Sequence, residues 1–395
     1  MRAVELFAGA GGLGLGVSQA GFKPVQIIEW DRWCCDTIRE NRQQGGVKLM
    51  ANWPMPIEGD VRDVDFRPFE NKVELVSGGP PCQPFSLGGK HQGHADSRDM
   101  WPEAVRAVRE IRPKAFIFEN VKGLKRASFA GYFNYIILQL HYPGIARRKG
   151  EKWADHFTRL QRHHTSRPSV KEEYRVVADI VNAANFGVPQ RRERVVFVGF
   201  RADLEVKWSF PKPTHGLDSL LWSQCRTGEY WDRHRIARAD RNMDVRAHAR
   251  GMSLLDKPRE KPWRTARDVI GTLPDPETEP AKARKYSNHG FQPGARSYLG
   301  HTGSPLDEPA KTLKAGVHGV PGGENMLVRS DGGIRYFTVR ESARLQTFPD
   351  NFVFHGSWSE TMRQLGNAVP VELAAFLAKD VRTRLAVGKA SRRKR

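Results

Sequence analysis

A short apolar run that feeds straight into a glycine loop constrains the fold more than any other feature of this sequence. Residues 3–7 read as a strand, Gly9, Gly11 and Gly14 follow in G-x-G-x-x-G spacing, and a helix is expected from the loop to about residue 20. Residues 25–29 read as a second strand ending on Glu29, 20 positions beyond Gly9. Glycines permit the tight turn and a close approach of backbone to ligand, and an acid at that distance can grip ribose hydroxyls. The spacing fits NAD, FAD and S-adenosylmethionine alike, and a purely structural turn uses the same residue types. Phe7 before the loop and Trp30 after Glu29 offer aromatic faces to an adenine, and Asp60 can accept from its amino group. The motif points to a nucleoside cofactor without choosing one.

The first 120 residues keep alternating. Apolar runs of strand length occur at 73–77 and 115–118, and between them Trp101, Val105, Val108 and Ile111 recur at helical spacing until Pro113 closes the segment. A further strand is expected at 195–200. Strands separated by helices argue for an α/β fold with a mostly parallel sheet covered on both faces. From about 209 to 335 Pro, Gly, His and Arg dominate and helical periodicity fades. Helical patterning returns at 339–346 and 373–385. At roughly 150 residues per domain, the expected organisation is a discontinuous α/β domain (1–205 plus 336–387), a smaller loop-rich domain at 206–335 and a basic tail at 388–395.

Sixty-four Lys and Arg against 44 Asp and Glu leave a net charge of +20, which points to a polyanionic partner, nucleic acid first. The excess is concentrated: residues 121–171 hold 11 cations against 2 acids, 226–268 hold 12 against 7, and 388–395 carry +5. For the two internal segments, phosphate contact is preferred over solvated surface. No run approaches the ~18 to 20 apolar residues of a membrane span, and the opening residues show no signal-peptide pattern. Four cysteines (Cys34, Cys35, Cys82, Cys225) are too few and too scattered for a disulfide framework. No pair has zinc-finger spacing, so no metal is expected, and a reducing cytoplasm is the expected location.

Three segments carry chemistry. Gly78-Gly79-Pro80-Pro81-Cys82-Gln83-Pro84 follows a buried strand, and its prolines stiffen a loop that presents the Cys82 thiol at the sheet's carboxyl edge, where open α/β sheets bind ligands. Cys82 is a candidate nucleophile, acting as its thiolate. Glu119-Asn120-Val121 ends another apolar strand at the same edge, where a partly desolvated carboxyl is placed to hand over a proton. Gln190-Arg191-Arg192-Glu193-Arg194 precedes the strand at 195–200. In extended backbone Arg192 and Arg194 share a face and offer fixed donors to a planar polar ligand or to phosphate.

Two longer motifs follow, Arg340-Glu341-Ser342-Ala343-Arg344-Leu345-Gln346-Thr347-Phe348-Pro349 and Gln364-Leu365-Gly366-Asn367-Ala368-Val369-Pro370. In this order the motifs resemble the bacterial-type DNA (cytosine-5)-methyltransferase family, from residue 4 to about 375. The resemblance implies a Rossmann-like fold dependent on S-adenosyl-L-methionine, with a target-recognition domain at 206–335. It implies that a cytosine is flipped out of double-stranded DNA, that Cys82 adds to carbon 6, and that carbon 5 takes the methyl. Glu119 then donates to ring nitrogen 3, and Arg192 and Arg194 hold the base's carbonyl oxygen. The same resemblance assigns Phe7, Ala8, Gly9, Gly11, Gly12, Glu29, Trp30, Asp60, Val61, Trp101, Asn367 and Ala368 to the cofactor. Residues 86–101 resemble the family's mobile loop over the flipped base, with Ser86 and Arg98 on DNA. Within 309–325, Lys311, Lys314 and His318 are expected DNA contacts; a glycine-rich structural loop is the equal alternative.

Family resemblance adds a restriction-modification role, with a cognate endonuclease as functional partner and a monomer as the expected state. The basic stretch between Val121 and Tyr174 exceeds the family pattern; helices at 133–140 and 153–162 would make it a DNA-backbone clamp or an insertion without a role. The rival of the same fold, a tRNA cytosine-5 methyltransferase, lacks a large recognition domain and usually carries Cys-Phe-Thr, which is absent here. A nicotinamide or flavin oxidoreductase leaves the Cys82 loop, Glu119 and the +20 charge unexplained, and a catalytically dead DNA-binding protein is disfavoured by the intact Cys82 and Glu119.

Overall fold

The computed structural model describes residues 1–43, 46–81, 99–166, 173–299, 301–316 and 325–392. Its centre is a seven-stranded sheet of β1 (Arg2–Leu6), β2 (Lys23–Glu29), β3 (Ile57–Glu58), β4 (Leu75–Gly78), β5 (Ala115–Val121), β6 (Tyr174–Asn182) and β7 (Glu193–Arg201), in the order β3-β2-β1-β4-β5-β7-β6. The first five strands run parallel, and β7 is antiparallel to both β5 and β6. The mostly parallel α/β sheet expected from the alternation is present. Strand order reverses between β1 and β4, so a crevice opens outside their carboxyl ends.

Helices among the described residues are α1 (Gly12–Gln19), α2 (Arg32–Gln43), α3 (Trp101–Ile111), α4 (Ala130–His141), α5 (Trp153–Thr165), α6 (Leu217–Leu221), α7 (Glu229–Arg233), α8 (Val245–Ser253), α9 (Ala266–Ile270), α10 (Pro280–Ala283), α11 (Val339–Leu345), α12 (Trp358–Asn367) and α13 (Val371–Arg392). On one sheet face, α3, α4 and α5 bury Val4, Leu6, Val76, Phe116, Phe118 and Phe197. On the other, α1 and α13 cover Ala3, Leu75, Ile117, Val196 and Val198. Gly16 makes that second layer possible, because a Cβ there would lie 2.5 Å from Val371 O. The last helix runs past the expected end at residue 385 to Arg392, taking in part of the stretch read as a tail.

Between β7 and α11 the elements are short. β8 (His215–Gly216) pairs with β9 (Lys261–Pro262), and β10 (Ser304–Pro305), β11 (Met326–Val328) and β12 (Ile334–Tyr336) form a small sheet. This region does not close on itself. Ala266, Ile270, Ala310, Leu313 and Leu327 share one buried cluster with Phe337 and Leu345, and Leu220, Tyr230, Trp231 and Trp263 pack around Ala184.

Candidate active site

The glycine loop leaves β1 in left-handed backbone, with φ of +53° at Phe7, +54° at Gly9 and +85° at Gly11. Only glycine takes such angles freely, so Phe7 is held there by its surroundings. Glu29 at the end of β2 fixes the turn. Its Oε2 accepts from Gly9 N at 2.7 Å and its Oε1 from Trp30 N and Asp31 N at 2.9 and 2.8 Å. Burial pushes this carboxyl above its ordinary range, against those three N–H donors. Gly12 lies under the turn after α12, where a Cβ would stand 2.6 Å from Val369 O and 3.5 Å from Ala368 Cβ. Ala368 is therefore brought to the loop, with Asn367 beside it in the chain. Above Gly9 the space is open, and Trp30 is 75% exposed.

Three cofactor assignments are placed differently. The Asp60 carboxylate, which holds the start of the turn Val61–Asp63, already accepts from Arg62 N, Nε and Nη2, and this pairing keeps its pKa below the usual range. Val61 is buried in the α3 side of the core. Trp101 is fully buried at the start of α3, with its ring edge-on to Phe118 and Phe197 at 6.0 and 4.8 Å. Its helical spacing with Val105 and Val108 is the reason: it is the first member of the core stripe.

Missing from the sequence reading is Glu5, inside β1 under the loop. Its Oε1 accepts from Gly14 N at 2.8 Å while Oε2 is buried without a hydrogen-bond partner, and burial pushes the carboxyl up to about 8. An acid within a five-residue apolar strand was the available signal.

At the carboxyl ends of β4 and β5 the second half of the site assembles. Asn120 Nδ2 donates to Pro80 O at 3.1 Å, fixing the entry to the loop that carries Cys82. Cys82, Ser86, Arg98 and His318 lie outside the described residues. Val121 pairs with Arg194 across the β5–β7 ladder, which sets Glu119 and Arg194 on one face as diagonal neighbours. Arg194 Nε stands 2.8 Å from Glu119 Oε1 in an ion pair whose angle misses hydrogen-bond alignment. That oxygen keeps its accepting capacity.

Arg192 is corrected. β7 begins at Glu193, so Arg192 precedes the strand and turns inward, fully buried. Its Nη1 donates to Leu313 O at 3.1 Å and its Nη2 to Gly366 O at 2.7 Å. Burial and the like charge of Arg194 lower its pKa against the opposing pull of Glu119, and the two carbonyls compensate its buried donors. Beside it Gln190 accepts from Leu313 N and donates to Leu345 O. Lys311 donates to Thr302 Oγ1 at 2.7 Å, and the Lys314 backbone is clasped by Asn325. The start of the 309–325 segment is thus strapped to the site by its backbone.

A glycine loop after β1 and a Glu119–Arg194 pair at the end of β5 lie at the same carboxyl edge of an α/β sheet, the edge where such sheets bind ligands. The profile of the C-5 cytosine-specific DNA methylase family matches residues 1–144 and 169–383. The Type II methyltransferase M.PspPI of Psychrobacter sp. is 34% identical over 96% of this chain and 78% of its own length, and M.Eco47II of Escherichia coli is 31% identical with the same coverage. A prophage-encoded DNA modification methyltransferase of E. coli shares the fold at a TM-score of 0.59 and 20% identity, over 98% of this chain and 99% of that one. The chain belongs to the C-5 cytosine-specific DNA methylase family and is a DNA (cytosine-5)-methyltransferase. Among the described residues no helix is long and apolar enough to cross a membrane.

Proposed function

We propose that this enzyme methylates carbon 5 of a cytosine flipped out of duplex DNA, with S-adenosyl-L-methionine as donor, as the modification arm of a Type II restriction-modification system. The observation that carries the reading is the Glu119–Arg194 pair beside the Pro80 loop entry, across the crevice from the glycine loop. The cofactor fits what is there: open space over Gly9, the exposed Trp30 ring and Phe7 to flank an adenine, and Asn367 and Ala368 at the loop's far side. Glu29 keeps the loop's shape and has accepting capacity left for a ribose hydroxyl. When bound, the cofactor supplies a methyl group activated on a sulfonium.

The Cys82 thiolate adds to carbon 6 of the cytosine while Glu119 protonates nitrogen 3, so the ring's electron pair becomes available at carbon 5. Arg194 faces both Glu119 and the base's carbonyl oxygen. After methylation, loss of the carbon-5 proton expels Cys82 and restores the ring. Arg192 holds the floor of the site and does not touch the base. Residues 206–335 act as the recognition region, with Lys311, Lys314 and His318 toward DNA, and Ser86 and Arg98 contact it beside the flipped base. The enzyme works as a cytoplasmic monomer beside a cognate endonuclease.

The test is transfer of labelled methyl from S-adenosyl-L-methionine to unmethylated genomic DNA, wild type beside Cys82→Ala, with bisulfite sequencing of the product. Incorporation at cytosines of one short motif, abolished in Cys82→Ala, is expected. Label entering tRNA but not duplex DNA would overturn the reading.

A further inference from the structure

The family profile passes over residues 145–168, a stretch with seven Lys and Arg against two acids. The fold determines where those charges stand. From the carboxyl end of β5, short turns lead to α4, whose first turn carries Tyr132. The Tyr132 hydroxyl donates to Asp99, just before α3 and so at the catalytic edge of the sheet. α4 then descends to the opposite edge, where His141 Nδ1 meets Tyr174 O at the first residue of β6. The chain next climbs back. Trp153, the first residue of α5, packs on Tyr132 and Tyr135 with ring centroids 5.7 and 5.5 Å apart. Arg147 faces the same two tyrosines, and the buried His156 locks the turn through Tyr135 and Ile145 O, both at 2.8 Å. α5 finally descends beside α4 until His164 reaches Tyr142.

Consequently Arg148, Lys149 and Lys152 stand at the catalytic edge, whereas Arg162 stands at the other end of the same helix. Of the two acids among these upper cations, Glu151 is consumed, accepting from Arg159 Nη2 and Arg148 N at 2.8 Å each, while the exposed Asp155 in the first turn of α5 offsets one charge. The side chains of Arg148, Lys149 and Lys152 are exposed and make no ion pair among the described residues. An aromatic bracket therefore holds three exposed cations, in excess over Asp155, on the side of the molecule where β4 and β5 end at Pro80 and Glu119.

We propose that Arg148, Lys149 and Lys152 form an additional phosphodiester-binding surface, gripping duplex DNA beside the flipped-base site. The proposal rests on duplex DNA being the substrate. Its probe is a short random-sequence duplex, read by fluorescence anisotropy across a salt series, for the full-length wild type, the triple variant Arg148→Gln/Lys149→Gln/Lys152→Gln and the control Arg162→Gln. In the triple variant the plot of log affinity against log salt should be shallower by about 0.9 for each phosphate that is no longer neutralised, with roughly tenfold or greater weakening at low salt. The KM for genomic DNA in methyl transfer should rise with it, and Arg162→Gln should match the wild type in both. An unchanged slope in the triple variant, or an equal weakening in Arg162→Gln, would overturn the proposal. Because binding is read apart from chemistry, tight binding without methyl transfer would count against the proposed reaction and leave this surface standing.

Discussion

Glu5 is a carboxylate placed where water does not reach. A single backbone N–H from Gly14 answers it, Glu29 adds like charge, and burial holds its proton on up to about 8 against 4.5 in the free side chain. Between those values the folded chain keeps a proton that the unfolded chain has lost, so Glu5 favours folding fully below that window and the contribution is lost as pH rises through it. Urea denaturation of wild type and Glu5→Gln should show the wild type losing stability relative to the variant from about pH 5 to 8; parallel pH profiles would refute this account. At Glu119 the prediction concerns rate. Replacement by Gln keeps the shape but cannot pass a proton to the base, so kcat should fall about 10²- to 10⁴-fold. Equilibrium binding of S-adenosyl-L-methionine, measured by calorimetry, should be little changed. The two acids differed in legibility. Glu119 ended a strand inside a recognisable motif, whereas Glu5 mattered only because α1 folds back over it.

Elements whose burial follows a simple pattern were read well. α3 announced itself by Trp101, Val105, Val108 and Ile111, and β5 and β7 by unbroken apolar runs, because both faces of a central strand are covered. β6 escaped, since on the sheet's edge its residues alternate between half-buried and exposed without period. α12 escaped for another reason: its last turn belongs to a motif shaped by close packing. Gly366 touches residues 314 and 315 so tightly that a Cβ would overlap Ala315 N. Gly366→Ala should therefore push the 313–316 strap off α12, costing roughly 1–3 kcal/mol, visible as a lower urea midpoint together with reduced methyl transfer. At α11, Thr338 caps the helix reciprocally with Glu341, which in turn pairs with the buried Arg335. Thr338→Ala should cost about 1 kcal/mol in the same denaturation assay.

For the whole molecule, the sequence reading drew a border at residues 206 and 335 from a change of composition. What composition could not show is that the border runs through shared cores. Leu313 and Leu327 need Phe337 and Leu345, and Trp231 and Trp263 need Ala184. An isolated 206–335 fragment should accordingly lack cooperative unfolding and bind a hydrophobic dye; a sharp thermal transition in that fragment would contradict the shared-core picture.

The buried Arg192 bears on where this chain can be cut and rejoined. It clamps the 313–316 strap to the end of α12 through two backbone carbonyls, of Leu313 and Gly366. Every amino acid supplies a carbonyl, so these two hydrogen bonds do not read side chains, although Gly366 leaves no room for a Cβ beside Ala315 and Leu313 is held in the shared core. A fusion joint placed inside 310–316 would break the main-chain path that presents the Leu313 carbonyl and leave a buried guanidinium half unanswered.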